Sequence, residues 1–337
     1  MQLTALVESP NHVCCRYRLA AFRPALARAG HALELQALPR RWWSRLRLFH
    51  ALRGRDVILQ RALLPRWQLA VLRRSARTLL FDFDDAVCLR DSYAAKGLHH
   101  SGRSRRFAAT VRSSDAVVAG NEFLCDQAAR WTEAGRVHLV PTCVDPARYP
   151  RAVHARIGPG VRLVWVGSSS TLKGLERAAS LLEELGKRIP GLQLKVVCDR
   201  ELALRELAVL FRPWDEATEA DEIADSDVGI SWVPDDDWSR GKCGLKVLQY
   251  MAAGLPVVAN PVGVHAGMVT PGETGFLAET SSQWVDAITR LARDPALRQA
   301  MGRAGRRRME ATYSVAAGAA HWLELLRRFQ PATVRAG

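Results

Sequence analysis

No run of apolar residues in the 337-residue chain approaches the ~20 that a helix needs to cross a bilayer, although apolar residues make up 48% of it. A membrane-spanning protein is therefore not expected. The opening MQLTALVESP lacks the basic segment and long apolar stretch of a secretory leader, and it reads as a first strand. Cysteine is present but unorganised: Cys14, Cys15, Cys88, Cys125, Cys143, Cys198 and Cys243 are odd in number, and none forms a C-x-x-C pair. That favours a reducing compartment and structural thiols over a metal site. There is no short-period repeat, no low-complexity segment, and no helix-turn-helix, zinc-finger or aromatic RNA-binding motif. The phosphate-binding patterns G-x-x-x-x-G-K-[ST] and G-x-G-x-x-G are missing too. The expected location is the cytoplasm, with at most peripheral contact at the inner face of the membrane.

The first half also lacks negative charge. Residues 1–150 hold 24 Lys and Arg against 12 Asp and Glu, whereas the remainder holds 24 against 22, so most of the net +14 sits in the first half. Such a surface suits nucleic acid, anionic lipid headgroups or an acidic substrate. Without a recognisable motif, nucleic acid is not an expected partner. The segment RRWWSRLRLFHALRGR, Arg40 to Arg55, joins arginines to Trp42 and Trp43 as an interfacial helix would. It reads equally well as an ordinary Arg-rich surface helix with Leu46 and Phe49 turned to the core.

What is present throughout is alternation. Short β-like runs (Leu3 to Val7, Leu33 to Gln36, Val57 to Gln60, Thr78 to Phe83, Ala116 to Ala119, Val137 to Val140) are separated by helical patterns such as RYRLAAFRPALARAG, which stops at Gly30. VDPARYPRAVHARIGPG, with three prolines and no periodicity, reads as a linker. A second cycle follows: VRLVWVG, one long helix ending at Pro190 and Gly191, strands at Leu194 to Cys198, Ala208 to Phe211, Val228 to Trp232 and Pro256 to Asn260, then a nearly all-helical tail. The length suits two α/β domains of about 150 residues each. The expected boundaries are 1–147, a linker over 148–160, 161–312, and a C-terminal helix and tail over 313–337.

Three stretches carry candidate chemistry. In TLLFDFDDAV, Thr78 to Val87, period-two alternation puts Asp82 and Asp84 on one side of an extended chain, where they could share a cation, with Asp85 facing elsewhere. They also read as the polar end of a buried strand. In WVGSSSTLKG, a strand ending at Gly167, the hydroxyl-bearing loop from Ser168 and Lys173 near a helix start would offer donors and one cation to a phosphate. A serine-rich turn with an N-cap is the plainer alternative. Further on, a helix expected from about Lys242 to Ala253 sets Lys242, Lys246 and Gln249 at i, i+4 and i+7 on one face, beside an apolar face of Leu245, Leu248 and Ala252. Like charges four apart repel unless an anion lies between them, and Arg240 adds positive potential ahead of the helix. A diphosphate fits that description; solvated surface lysines are the alternative.

The stretch KVLQYMAAGLPVVANPVGVHAGMVTPGETGFLA resembles the donor-site region of GT-B glycosyltransferases of family 4, the group 1 glycosyl transferases, with their E-A-M-A-x-G-x-P-V-[IV]-A helix end and G-x-x-G-[FL]-L turn. SDVGISWVP is similar to the strand before that helix, LVWVGSSSTLKGLE to the G-R-x-x-x-x-K-G phosphate turn, and VHLVPTCVDPARY to the I-P-N-G-V-D passage. CRYRLAAFRPALARAGHALELQAL resembles the family's first βαβ more loosely. The chain departs from the family in two places. The E-x7-E carboxylates would fall at Gly241 and Gln249, and Ser168 replaces the usual arginine of the phosphate turn.

The resemblance implies two Rossmann-like domains facing each other across a cleft, with a C-terminal helix crossing back to the first domain. It implies a retaining, metal-independent transferase that binds a nucleotide-diphosphate sugar, as substrate and without a cofactor, through Gly167, Ser168, Lys173, Arg240, Lys242, Lys246 and Gln249. Asp84 and Asp85 stand where the family often has histidine, so either is expected to orient the sugar or acceptor hydroxyl; a helix cap is the other reading. A dehalogenase-type phosphatase does not fit, since Ala86 fills the place of its Thr or Val. A D-x-D metal transferase does not fit the donor elements. Arg16, Arg18, His99, His100 and Asn121 are the acceptor-side candidates, His99 and His100 reading also as solvated loop histidines and Asn121 as an N-cap. The expected acceptor is a hydroxyl compound, lipid-linked or anionic, in surface polysaccharide or glycolipid assembly. A noncatalytic binding protein of the same fold and a sugar-nucleotide epimerase are the alternatives.

Overall fold

A computed structural model describes residues 1–330. The chain forms two compact units: Met1–Cys143 with Asp236–Cys243 and the chain from Val315 on, and Val144–Asp235 with Gly244–Ser314.

The first unit is built on six parallel strands: β1 Gln2–Val7, β2 Ala32–Ala37, β3 Asp56–Gln60, β4 Thr78–Phe83, β5 Ala116–Ala119 and β6 Val137–Leu139, in the order β2-β1-β3-β4-β5-β6. Parallel strands covered on both faces need apolar residues at odd and even positions alike. β4 shows this directly: Leu79, Phe81 and Phe83 join one core with Phe49, Leu72, Phe107 and Leu124, while Leu80 joins the opposite core with Phe22, Leu26 and Trp322. Phe81, Phe83 and Phe107 form a three-ring cluster with centroids 5.0 to 6.0 Å apart. The helix Val315–Arg327 completes the second layer, with Trp322 6.5 Å from Phe22.

The second unit holds β7 Arg162–Val166, β8 Gln193–Cys198, β9 Ala208–Pro213, β10 Val228–Ser231, β11 Val257–Ala259 and β12 Gly275–Leu277, in the order β12-β11-β10-β7-β8-β9. Counted within the unit this is the doubly wound 3-2-1-4-5-6 arrangement. The strand order reverses between β1 and β3 in the first sheet and between β7 and β10 in the second. Ligands of such sheets bind beyond the carboxyl ends of the strands at that reversal.

Several expectations need correction. The long helix after β7 is two, Ser169–Arg177 and Ala179–Arg188, with Ala178 at φ −87° and ψ 11° between them. The change of axis lets Leu172 and Leu175 from one piece and Leu181, Leu182 and Leu185 from the other enter the same core. The helix expected from Lys242 begins at Leu245, because Gly244 is left-handed at φ 65° and breaks the turn. β12 was not expected as a strand. The segment Asp236–Cys243, read as part of the second domain, packs with the first unit. Residues 150–157 have no regular structure and lie along the second unit, Ala152 N–H donating to Ala253 O at 2.8 Å.

Candidate functional site

In the first unit the polar groups collect at the carboxyl ends of β1, β3 and β4. Asp82 and Asp84 do not share one cation: each takes its own arginine. Arg18, at the end of the helix Val13–Arg18, is fully buried and donates to the Asp82 carboxylate and to Val140 O. Gln60 Nε2 donates to the other oxygen of Asp82 at 3.2 Å. Burial pushes the Asp82 carboxyl up against the opposing pull of Arg18. A guanidinium does not lose its proton near neutrality, so Arg18 keeps its charge beside the Asp82 carboxyl. Arg18 was expected among the acceptor contacts; its burial beneath the sheet end removes it from that role.

Asp84 and Asp85 are bridged by one residue the sequence did not single out. Arg61 follows β3 directly, in the left-handed region at φ 57°, an arrangement uncommon for a side-chain-bearing residue. Its Nη1 donates to Asp84 and, at 2.9 Å, to Cys14 Sγ, and its Nη2 reaches Asp85 Oδ2 at 2.8 Å. Burial pushes the Asp84 carboxyl up, but Arg61 and then Arg18 outweigh it and hold the group below its usual range. Cys14, Asp84 and Asp85 present ligand atoms within 4.8 Å of one another. Arg61 bonds to all three, and burial and Asp84 drive the Cys14 thiol well above its ordinary value. The group is a cradle for a guanidinium. The helix-cap reading of the aspartates is corrected as well, since the next helix is Ser101–Ser113.

The segment Asp236–Cys243 closes this end of the unit. Ser92 Oγ donates to Asp236 Oδ1 at 2.9 Å, and Asn121 Nδ2 donates to the carbonyls of Arg240 and Lys242 at 3.2 and 3.0 Å. Asn121 also caps the helix Glu122–Ala129 by accepting from Leu124 N–H at 2.8 Å. Lys242 sits 3.5 Å from the centre of the Trp238 ring and 3.7 Å from Asp85 Oδ1. Lys242 therefore does not share a helix face with Lys246 and Gln249. A Cβ on Gly241 would lie 2.8 Å from Ala86 Cβ and 2.9 Å from Ala86 N, so there is no room for the glutamate that the resemblance would put there. Arg240 is exposed and lies 3.8 Å from Asp237. Arg16 lies over the Tyr17 ring at 5.5 Å. His100 is the N-cap of Ser101–Ser113, its Nδ1 accepting from Gly102 and Arg103 N–H, and the His99 carbonyl accepts from Arg90.

The second unit gathers its groups beyond β7 and β10. Gly167 ends against the Trp165 ring, Ser168 caps the helix Ser169–Arg177, and Lys173 is exposed on the fifth residue of that helix. The helix N-terminus already holds an anion: Ser169 donates its N–H to Asp199 Oδ1 at 2.5 Å and its hydroxyl to Oδ2 at 2.8 Å. Those bonds hold the Asp199 carboxyl below its usual range. Lys246, in the first turn of Leu245–Ala252, lies 5.0 Å from the Trp165 ring centre. Gln249 is buried and donates to Tyr149 Oη at 3.1 Å and Glu219 Oε1 at 2.6 Å; Trp214 Nε1 donates to Glu219 Oε2 at 2.5 Å. Gln249 was expected to meet a sugar hydroxyl; its amide is spent inside the unit.

His265, also outside the sequence reading, is buried, and burial pushes its imidazole down to about 4. It is neutral at pH 7, and because the Asn260 carbonyl 3.0 Å from Nδ1 can only accept, Nδ1 carries the proton and Nε2 accepts from Ser231 Oγ at 3.1 Å. Sequence offered no signal for it beyond a histidine in the loop after β11.

Residues 176–324 match a protein-family model described as "Glycosyl transferase-like". A D-inositol 3-phosphate glycosyltransferase of Pseudarthrobacter chlorophenolicus is 29% identical over 198 residues, 50% of this chain and 45% of that protein. The chain thus matches about half the length of that relative. In fold, the sucrose-phosphate synthase tll1590 from Thermosynechococcus elongatus agrees over 97% of this chain and 98% of that chain, with a TM-score of 0.77 and 18% identity. Anabaena Alr3699/HepE, solved in complex with UDP and glucose, agrees over 97% and 100%, with a TM-score of 0.67 and 14% identity. Two doubly wound parallel sheets in one chain, with these neighbours, define the class as GT-B. In fold the chain is GT-B, and in sequence residues 176–324 are similar to glycosyltransferases.

Proposed function

We propose that the protein transfers a sugar from a nucleotide-diphosphate sugar to a hydroxyl acceptor, with retention of configuration and without a metal. The observation that carries this reading is the second unit's switch point, where Lys246 opens a helix against Trp165 beside the Gly167–Ser168 turn. Lys246, with Lys173 and the dipole of Leu245–Ala252, supplies positive potential for a leaving diphosphate. A β-phosphate oxygen of the donor takes the acceptor proton. HepE's complex with UDP and glucose supports a nucleotide-sugar donor.

The acceptor belongs to the basic first half, where Asp84 and Asp85, oriented by Arg61, receive and align its hydroxyl, with Arg16 and His99 as further contacts. A phosphate-bearing or lipid-linked acceptor suits that charge, and the relative named for inositol 3-phosphate supports an anionic one. Surface polysaccharide or glycolipid assembly in the cytoplasm, with peripheral membrane contact, is the corresponding role. A second reading, a protein that binds nucleotide sugar without turnover, is favoured by Asp199 on Ser169 and Glu219 on Gln249. Thermal shift and nucleotide release with a panel of UDP-, GDP- and ADP-sugars separate the two. Binding followed by release of the nucleoside diphosphate supports transfer, binding with no release under any acceptor supports the second reading, and no binding at all defeats both.

A further inference from the structure

Trp42 and Trp43 open the helix Trp42–Ala51, and Trp67 stands in the first turn of Arg66–Ser75. Their rings meet edge to face, Trp42 lying 5.7 Å from Trp43 and 5.8 Å from Trp67, yet they are 52%, 45% and 50% exposed. The two helices already bury Phe49 and Leu52, Leu69 and Leu72 in the core, so the three rings form a second apolar surface that the unit's packing does not use. Contiguous exposed aromatic surface of this kind marks an interaction site.

Charge says what the partner is. Residues 40–77 carry eleven arginines and one acid, Asp56, which is buried and paired with Arg77. Arg40, Arg41, Arg47 and Arg66 lie in or next to the same two helices, are exposed, and among the described residues pair with no carboxylate. Arg41 lies 5.5 Å from the Trp43 ring. Tryptophan prefers the headgroup layer of a bilayer, and arginine beside it is drawn to anionic lipid. We infer that Trp42, Trp43 and Trp67 enter the headgroup layer of an anionic membrane while these arginines bind its phosphates. The inference narrows the peripheral contact of the reading above to one surface and rests on that part of it.

The intact protein, without nucleotide or sugar, is sedimented with vesicles of phosphatidylcholine alone and of phosphatidylcholine and phosphatidylglycerol in equal parts, and its emission is followed with brominated acyl chains. The expected result is salt-sensitive binding to the phosphatidylglycerol vesicles with quenching of tryptophan. Arg41→Gln with Arg47→Gln should lower partitioning about thirtyfold, at about fivefold per charge, and Trp42→Ser with Trp67→Ser should lower it at least about tenfold and abolish most of the quenching. Wild type that sediments with neither vesicle, variants that bind like wild type, or a solution dimer held by the same three rings overturns the inference. UDP-sugar thermal shifts should be equal in wild type and variants; absence of nucleotide-sugar binding alongside vesicle binding counts against both nucleotide-sugar readings and not against the membrane surface.

Discussion

Removing Arg61 tests the reading of the first unit most directly. The guanidinium serves two carboxylates and a thiol at once, with side chains 25% exposed for Arg61, 13% for Asp84 and 22% for Asp85. Breaking a fully buried pair costs about 3–5 kcal/mol and an exposed one less than about 1 kcal/mol. These intermediate exposures place Arg61→Ala at about 2–4 kcal/mol. Arg61→Gly loses the same contacts but relieves the left-handed backbone, worth about 1 kcal/mol, so it should be the milder change. The pH dependence has a definite sign. Asp84 is held below its usual range, so its contribution is present above the unfolded carboxylate value of about 3.9 and is lost as pH falls through the lower folded value. Without Arg61 the burial of Asp84 is less opposed, its carboxyl moves up, and the deficit of Arg61→Ala should be largest near neutrality and shrink in acid. Urea unfolding of wild type and both variants near neutrality and near pH 4.5 measures all three effects. Arg61→Ala within about 0.5 kcal/mol of wild type, or less destabilised than Arg61→Gly, would refute the account.

Gly241→Ala should cost about 1–3 kcal/mol by forcing Asp236–Cys243 off Ala86, and Gly241→Glu, which restores the family pattern, should cost more; a glutamate that leaves the melting temperature unchanged means the segment is not seated as described. His265 is neutral when folded, so unfolding takes up a proton as pH drops from about 6.5 towards about 4, and about 3 kcal/mol of stability should be lost across that window. His265→Asn should flatten the curve there, and unfolding midpoints that fall equally in both proteins would count against it. Gln249→Glu places a second carboxylate beside Glu219, raising the carboxyl values of the pair; the variant should lose stability as pH rises above about 4.3 and regain it on acidification. A pH-independent difference from wild type means the two side chains are not in contact.

The fold was legible because the signals were local and repeated. Eleven strands were expected within a residue or two of their places, since a parallel strand buried on both faces announces itself as a short β-branched run between turn residues. β12 escaped because three residues, Gly275–Leu277, are too few to show a pattern. The site was less legible. A heptad-like spacing put Lys242, Lys246 and Gln249 on one helix face, but one left-handed glycine, Gly244, removed Lys242 from the helix altogether. Arg61 could not be found from spacing, because its partners lie 23 and 24 residues on and meet it only through the pairing of β3 with β4. Arg18 drew attention as a cation near a first-strand loop, and nothing local distinguishes a solvated arginine from one that a later strand will bury. The same holds for Asp199 and Glu219, each of which reaches its partner from a different βα unit.

The composition of the first unit bears on how the protein is made. Phe22 and Cys143 are covered by the helix Val315–Arg327, and the end of β4 is closed by Asp236–Cys243. A nascent chain that has finished residue 143 has all six strands of the first sheet but neither of these pieces. One apolar face therefore waits through the synthesis of about 170 further residues, on the order of 10–30 seconds at ordinary elongation rates, before its last helix arrives. The second unit, although later in the sequence, has every residue it needs before the first one does.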